Sequence, residues 1–214
     1  MIIPSRIAEY FIAALVIILA PGPSVLFVIA RAIAWGRKTA VFTVVGNVSG
    51  AFTLSVFVAI GLGPLLQRSD LAFAIVQWGG GLYLIYLGID AIRDRTVHAA
   101  DMTNQGDIAP GVFRSIRDGF WVGALNPKGI VFFAAVVPQF IDRDRGGITG
   151  QLILLGAVFA ILALFCDGTW GLLAGTARDW LATDSQRIEK LRAGGGIIMI
   201  ILGLSVVYSA IVSG

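Results

Sequence analysis

Six long stretches of the 214-residue chain contain almost no charge, and this feature limits the folds open to it more than any other. Four of them are free of charged residues, and two contain one each. They run from Phe11 to Ala30, Thr39 to Leu66, Leu71 to Ile89, Gly119 to Phe140, Gly146 to Ala177 and Ala193 to Gly214. A helix that crosses a bilayer needs about 20 mainly apolar residues. The sequence therefore predicts an all-α polytopic membrane protein with six transmembrane helices.

Composition agrees with lipid as the surrounding solvent. Charged residues make up 14% of the chain, against about 25% in a soluble domain, and mean hydropathy is +0.87. The single cysteine, Cys166, excludes an internal disulfide and a dithiol electron carrier. With a single histidine, His98, the chain has no cluster of soft metal ligands. We therefore expect no cofactor.

Lysine and arginine residues are distributed unevenly between the two sets of loops. With six spans, the N-terminus and the loops after spans two and four carry four of them, and the other three loops carry eleven. Cytoplasmic loops are enriched in Lys and Arg, so we expect both termini in the periplasm. If the first stretch did not cross, the N-terminus would be cytoplasmic. We interpret the basic residues as determinants of helix orientation. The pI near 9.4 therefore does not indicate a nucleic-acid partner.

The two halves of the chain share a weak internal repeat. Gly79-Gly80-Gly81 with Leu87-Gly88 matches Gly194-Gly195-Gly196 with Leu202-Gly203, at an offset of 115. Gly50-Ala51 and Pro21 recur as Gly156-Ala157 and Pro127, at an offset of 106. A repeated unit of three spans must be inverted in the membrane, as in many secondary transporters. We expect a single domain over 1–214, with repeats at about 7–92 and 119–214 and a cytoplasmic linker at 93–118.

Two proline motifs are predicted to break spans one and four near the bilayer midplane. Pro21-Gly22-Pro23 removes the hydrogen-bond donors for the carbonyls of Ile17 and Leu19, and Asn126-Pro127-Lys128 does so for Gly123. A break inside lipid is tolerated only where protein or a watery cavity surrounds it. The free N–H groups at the start of each second half-helix favour an anion, and the freed carbonyls favour a cation. The two breaks together therefore predict a cradle for a zwitterion.

Four further residues are candidates for the same site. Lys128 and Asp167 are the charges inside spans, and a charge near the bilayer centre needs a partner. Lys128 can bind a substrate carboxylate while Asp167 binds an ammonium or a proton, or the two can pair with each other. Asn47 can line a cavity or simply lie within the close helix contact that Gly46 and Gly50 allow. Ser24 can line the site or satisfy backbone groups.

These motifs resemble the LysE/RhtB family of bacterial amino-acid exporters. The resemblance rests on Pro21-Gly22-Pro23, on Asn126-Pro127-Lys128 followed by Phe132-Phe133 and Pro138-Gln139-Phe140, and on Asp167 three residues before Trp170. It implies export of amino acids or close derivatives across the bacterial inner membrane, driven by the proton-motive force. It separates neither basic from neutral substrates nor a monomer from a homodimer. A membrane enzyme or a membrane scaffold is the alternative, but a scaffold gives no reason for two matched breaks and two intramembrane charges.

The charge distribution makes the topology testable. Cysteines introduced at positions 3, 104 and 213 can be treated with a membrane-impermeant thiol reagent in intact cells. We expect labelling at 3 and 213 and none at 104. Labelling at 104 and at neither terminus would overturn the assignment.

Overall fold

A computed structural model of the protein describes residues 3–20, 22–68, 70–93, 109–177 and 185–213. Every regular element in these ranges is helical. In chain order they are α1 (Ile7–Leu19), α2 (Pro23–Arg68), α3 (Asp70–Arg93), α4 (Val112–Ala124), α5 (Pro127–Phe140), a 3₁₀ turn (Arg143–Arg145), α6 (Ile148–Thr176) and α7 (Ser185–Ser213). Helix α5 is α-helical to Val131, π-helical from Phe132 and 3₁₀-helical from Val137.

Two or three of the described helical segments meet the length and apolarity of a membrane span. Pro23–Gly61 and Ile148–Thr176 do so alone, and α4 with α5 does so as a pair bent by 45°. The apolar segments Ile7–Leu19, Gly81–Asp90 and Gly196–Tyr208 are shorter than 18 residues. The all-helical membrane fold is therefore confirmed, whereas six spans in two inverted repeats remain a prediction.

Helix α2 bends sharply at one glycine. Gly36 has φ 80° and ψ −178°, outside the helical region, and a positive φ of this size is adopted without strain only by glycine. The bend divides α2 into α2a (23–35) and α2b (37–68). Arg31 comes directly after the predicted first span, Phe11–Ala30, and was expected in a loop, but it lies within α2a and is only 8% exposed.

The chain leaves the helical conformation at both proline motifs. Helix α1 ends at Leu19 and α2 begins at Pro23, while α4 ends at Ala124 and α5 begins at Pro127. Pro21 itself and most of the predicted linker, 94–108 with His98, lie outside the described residues. The end of that linker is not a loop, because residues 112–118 form the first turns of α4.

Glycines bring two pairs of helices into backbone contact. Helix α2b meets α4 so closely that a Cβ atom on Gly46 would collide with the carbonyl of Ile116, and one on Gly123 with that of Asn47. Helices α3 and α7 meet in the same way. A Cβ on Gly88 would lie 2.5 Å from the Gly196 carbonyl oxygen, and one on Gly203 would lie 2.6 Å from that of Gly81. Small residues permit this approach between apolar helices.

The α2b–α4 contact predicts different effects for two glycines of one helix. Gly46→Ala places a methyl group against backbone, which cannot move aside, and we expect a loss of about 1–3 kcal/mol of stability. Gly61→Ala is the matched control, because its Cβ meets nothing within 4 Å. Thermal denaturation in detergent measures both, and equal melting temperatures for the two variants would contradict the packing described.

Candidate functional site

Five buried polar side chains gather between the two helix breaks. Ser24, Asn47, Asn126, Lys128 and Asp167 come from α2a, α2b, the second break, α5 and α6, and none is more than 9% exposed. All five line one small cavity. Burial of a polar group is costly unless the group is hydrogen bonded. Those of the five that lack a partner within the protein are therefore the ones available to a ligand.

Asn126 joins the two breaks directly. Its Oδ1 accepts the Lys128 N–H at 3.1 Å and so caps the start of α5, and its Nδ2 donates to Ser24 Oγ at 2.9 Å. An asparagine side chain can do both because it carries an acceptor and two donors. Pro127 occupies the first turn of α5, where a missing N–H costs nothing.

The Lys128 ammonium caps the broken end of α1. Its Nζ donates to the carbonyl oxygens of Ile17 and Ala20, each at 2.9 Å. Ile17 is one of the carbonyls that the proline motif was predicted to free, and a positive charge is favourable at the C-terminus of a helix. Gly22 makes room for the lysine, since a Cβ there would lie 3.1 Å from Nζ.

The other carbonyls of the breaks differ from expectation. The second carbonyl that Lys128 reaches belongs to Ala20, which was not among those that the prolines were predicted to free. The carbonyl of Gly123 is also not free, because the Leu125 N–H donates to it and the Asn126 N–H does so at 3.4 Å. A local turn after α4 therefore supplies the donors that Pro127 lacks.

Asp167 is held by an amide and is not in contact with the lysine. Its Oδ2 accepts from Asn47 Nδ2 at 3.0 Å. Among the residues that the structure describes, Asp167 Oδ1 and Asn47 Oδ1 are buried without a hydrogen-bond partner, and no Lys128–Asp167 pair lies within 4.0 Å. Leaving buried acceptors unpaired costs about 1–3 kcal/mol each. The two oxygens are therefore open to a donor that enters the cavity.

The cavity is too small in this conformation to hold a substrate. Its volume of about 30 Å³ has room for one or two water molecules and not for an amino acid. The polar groups occupy part of its surface, and the rest is apolar. This apolar wall is formed by Ile17, Ile18, Val25, Ala51, Phe132, Phe159 and Ala163, with Gly123 and Gly129.

Polar contacts join residues far apart in sequence at each end of the α1–α2a segment. On one side Arg31 pairs with Asp118 at 2.9 Å, with its guanidinium over the rings of Phe27 and Trp35 at 4.7 and 4.8 Å. On the other side the backbone N–H and hydroxyl of Ser5 donate to the Asp142 carboxylate at 2.8 and 2.6 Å. These two hydrogen bonds lower the pKa of Asp142 below its usual value.

The structure brings most of the predicted site residues to one cavity, whose apolar wall the sequence did not predict. Five of the nine predicted residues line the cavity: Ser24, Asn47, Asn126, Lys128 and Asp167. Gly22 lies against the lysine, and Pro23 and Pro127 begin the half-helices. Pro21 lies outside the described residues. Helical periodicity gives a signal for two of the missed residues. Ala51 follows Asn47 by one turn, and Ala163 precedes Asp167 by one turn. Trp170 packs against the hydrophobic cluster around Val28 and Ile29 and does not line the cavity.

Comparison with known proteins finds a family profile that matches most of the chain. The profile of the LysE type translocator matches residues 15–210. A homoserine/homoserine lactone efflux protein of Salmonella typhimurium is 30% identical over 90% of this chain and 91% of its own. A leucine efflux protein of Enterobacter sp. is 27% identical over 88% and 87%. An uncharacterized membrane protein of Vibrio cholerae is 32% identical over 79% and 81%. No solved structure matches.

Proposed function

The chain belongs to the LysE type translocator family, and on this premise we propose that it is a secondary transporter that exports amino acids or close derivatives from the bacterial cytoplasm. The names of its relatives indicate a transporter rather than an enzyme. One observation carries the proposal: Lys128 and Asp167 are both buried at one cavity, carry opposite charges and are not paired with each other. An amino acid in its zwitterionic form carries the two complementary charges.

The substrate carboxylate binds at the lysine end of the cavity. Two of the three N–H donors of the Lys128 ammonium are used by Ile17 and Ala20, which leaves one for a carboxylate. The start of α2a adds backbone N–H groups that have no partner within the helix. The start of α5 contributes less, because Asn126 already accepts the Lys128 N–H.

The substrate ammonium binds at the opposite charge. Asp167 Oδ1 and Asn47 Oδ1 are unpartnered acceptors, and an ammonium group supplies three donors. The hydrogen bond between Asn47 and Asp167 holds the carboxylate in place. A proton on Asp167 would cancel its charge and release the ammonium, which is how we propose that the proton-motive force drives export.

Alternating access requires a closed state and two openings. The cavity of about 30 Å³ represents the closed state. We propose that the Arg31–Asp118 pair closes it toward the cytoplasm and that the contacts of Ser5 with Asp142 close it toward the periplasm. In this account α1 with α2a forms the first of six spans in the inner membrane, and both termini are periplasmic.

Contacts between repeat-related residues support the inverted repeat. At the offset of 115, Gly81 corresponds to Gly196 and Gly88 to Gly203. Gly88 contacts Gly196 and Gly203 contacts Gly81, so the same contact occurs twice with the two repeats exchanged. Gly22 and Lys128 are separated by the same 106 positions as Pro21 and Pro127, and they also lie against each other. A two-fold axis in the membrane plane would produce contacts of this kind.

Substitution of Lys128 tests the site. We expect Lys128→Met to lower export at least about 30-fold, because removing one side of a buried charged interaction costs about 2 kcal/mol or more. The variant Lys128→Met with Asp167→Leu carries neither charge and should also fail to export. Efflux is measured in dipeptide-fed cells that lack other exporters.

The double variant also controls for a purely structural role. If the two charges only neutralise each other in the membrane, it should reach normal membrane levels and export normally. The amount of protein in the membrane and its melting temperature are measured in parallel, because Lys128 also caps α1. Normal efflux by the single variant Lys128→Met would end the proposed role of Lys128 in binding.

A further inference from the structure

The charges that line the cavity balance to zero. Of its fourteen lining residues, Lys128 is the one cation and Asp167 the one anion. Among the described side chains, the only other buried charged one is Arg31. That guanidinium pairs with Asp118 and does not line the cavity. The part of the site that the structure describes therefore holds no charge beyond one of each sign.

The remaining polar groups of the cavity are already engaged with one another. Ser24 Oγ accepts from Asn126, and the Asn126 Oδ1 accepts from the Lys128 backbone. Asn47 Nδ2 donates to Asp167. Once the α-ammonium of a substrate occupies the two free oxygens of Asn47 and Asp167, few hydrogen-bonding groups are left for its side chain.

The surface that remains for the side chain is apolar. Ala51 lies one turn beyond Asn47 on α2b, and Ala163 lies one turn before Asp167 on α6. Phe132 and Phe159 pack with their ring centroids 5.2 Å apart at the same wall. None of these side chains can neutralise a charge or donate a hydrogen bond.

From this balance we infer that the exported amino acid has an uncharged side chain, an inference that rests on the proposed function. A zwitterion uses the one cation and the one anion completely. A lysine or arginine substrate would bring a second positive charge, and glutamate or aspartate a second negative charge, into a site with no partner for it. An uncompensated charge at this depth is costly. This cost corresponds to about 100-fold slower transport of amino acids with charged side chains.

The unmodified protein in proteoliposomes provides the first test. Transport of radiolabelled alanine, leucine and homoserine is compared with that of lysine, arginine and glutamate at equal concentrations. We expect at least one neutral amino acid to be transported at a rate about 100-fold above that of any charged one. Comparable or faster transport of a charged amino acid would overturn the inference and leave the proposed function standing. No transport of any of the six, by protein of confirmed monodispersity, would count against both.

A designed change of specificity provides the second test. Ala163→Asp adds a carboxylate one turn from Asp167, and we expect it to raise lysine transport at least tenfold. Ala163→Asn is the matched control, because it has almost the same volume and polarity without the charge, and it should remain closed to lysine. Ala51→Asp with Ala51→Asn repeats the comparison on α2b if position 163 does not tolerate the change. Equal lysine transport by the Asp and Asn variants, or leucine transport without lysine transport by both Asp variants, would overturn the inference.

Discussion

The hydrogen bonds from the Lys128 ammonium to the carbonyls of Ile17 and Ala20 are the interaction on which the rest of the site depends. A helix that breaks within lipid exposes carbonyl groups that no water can satisfy. A side chain from the second break supplies the donors that the first break lacks, and Asn126 adds a bond to Ser24. The two breaks are thus stable as a pair, whereas either one alone would leave buried polar groups unpaired.

The same arrangement explains why Asn47 and Asp167 carry unpartnered oxygens. If Lys128 reached Asp167, the ion pair would satisfy both charges and leave little for a ligand. Because the lysine is drawn to the end of α1, the carboxylate keeps Asn47 as its one partner. Asn47 is positioned in turn by backbone packing, since its carbonyl lies against Gly123 of α4. The contact of Gly123 with α2b therefore helps to set the position of Asn47 and, through its hydrogen bond, that of Asp167.

The sequence predicted the features that local chemistry determines. Missing donors at Pro21, Pro23 and Pro127 located both helix breaks, and the lack of other intramembrane charges singled out Lys128 and Asp167. It did not predict that Lys128 would cap α1 rather than bind Asp167, because that choice depends on which helix end lies within reach of its side chain. Pairs far apart in sequence, such as Ser5 with Asp142, carry no local signal either. The bend at Gly36 was missed for a different reason, since a lone glycine before Arg37 and Lys38 is equally typical of an ordinary loop.

We propose that one cavity between the two breaks opens alternately to the two sides of the membrane. Accessibility at Ser24, which is 5% exposed and lines that cavity, tests it most directly. The measurement uses Ser24→Cys in a Cys166→Ala background, with an impermeant thiol reagent applied to intact cells and to inverted vesicles. We expect the thiol at position 24 to react from both sides and a transported amino acid to change both rates. Reaction from one side only, whatever amino acid and proton gradient are supplied, would contradict it.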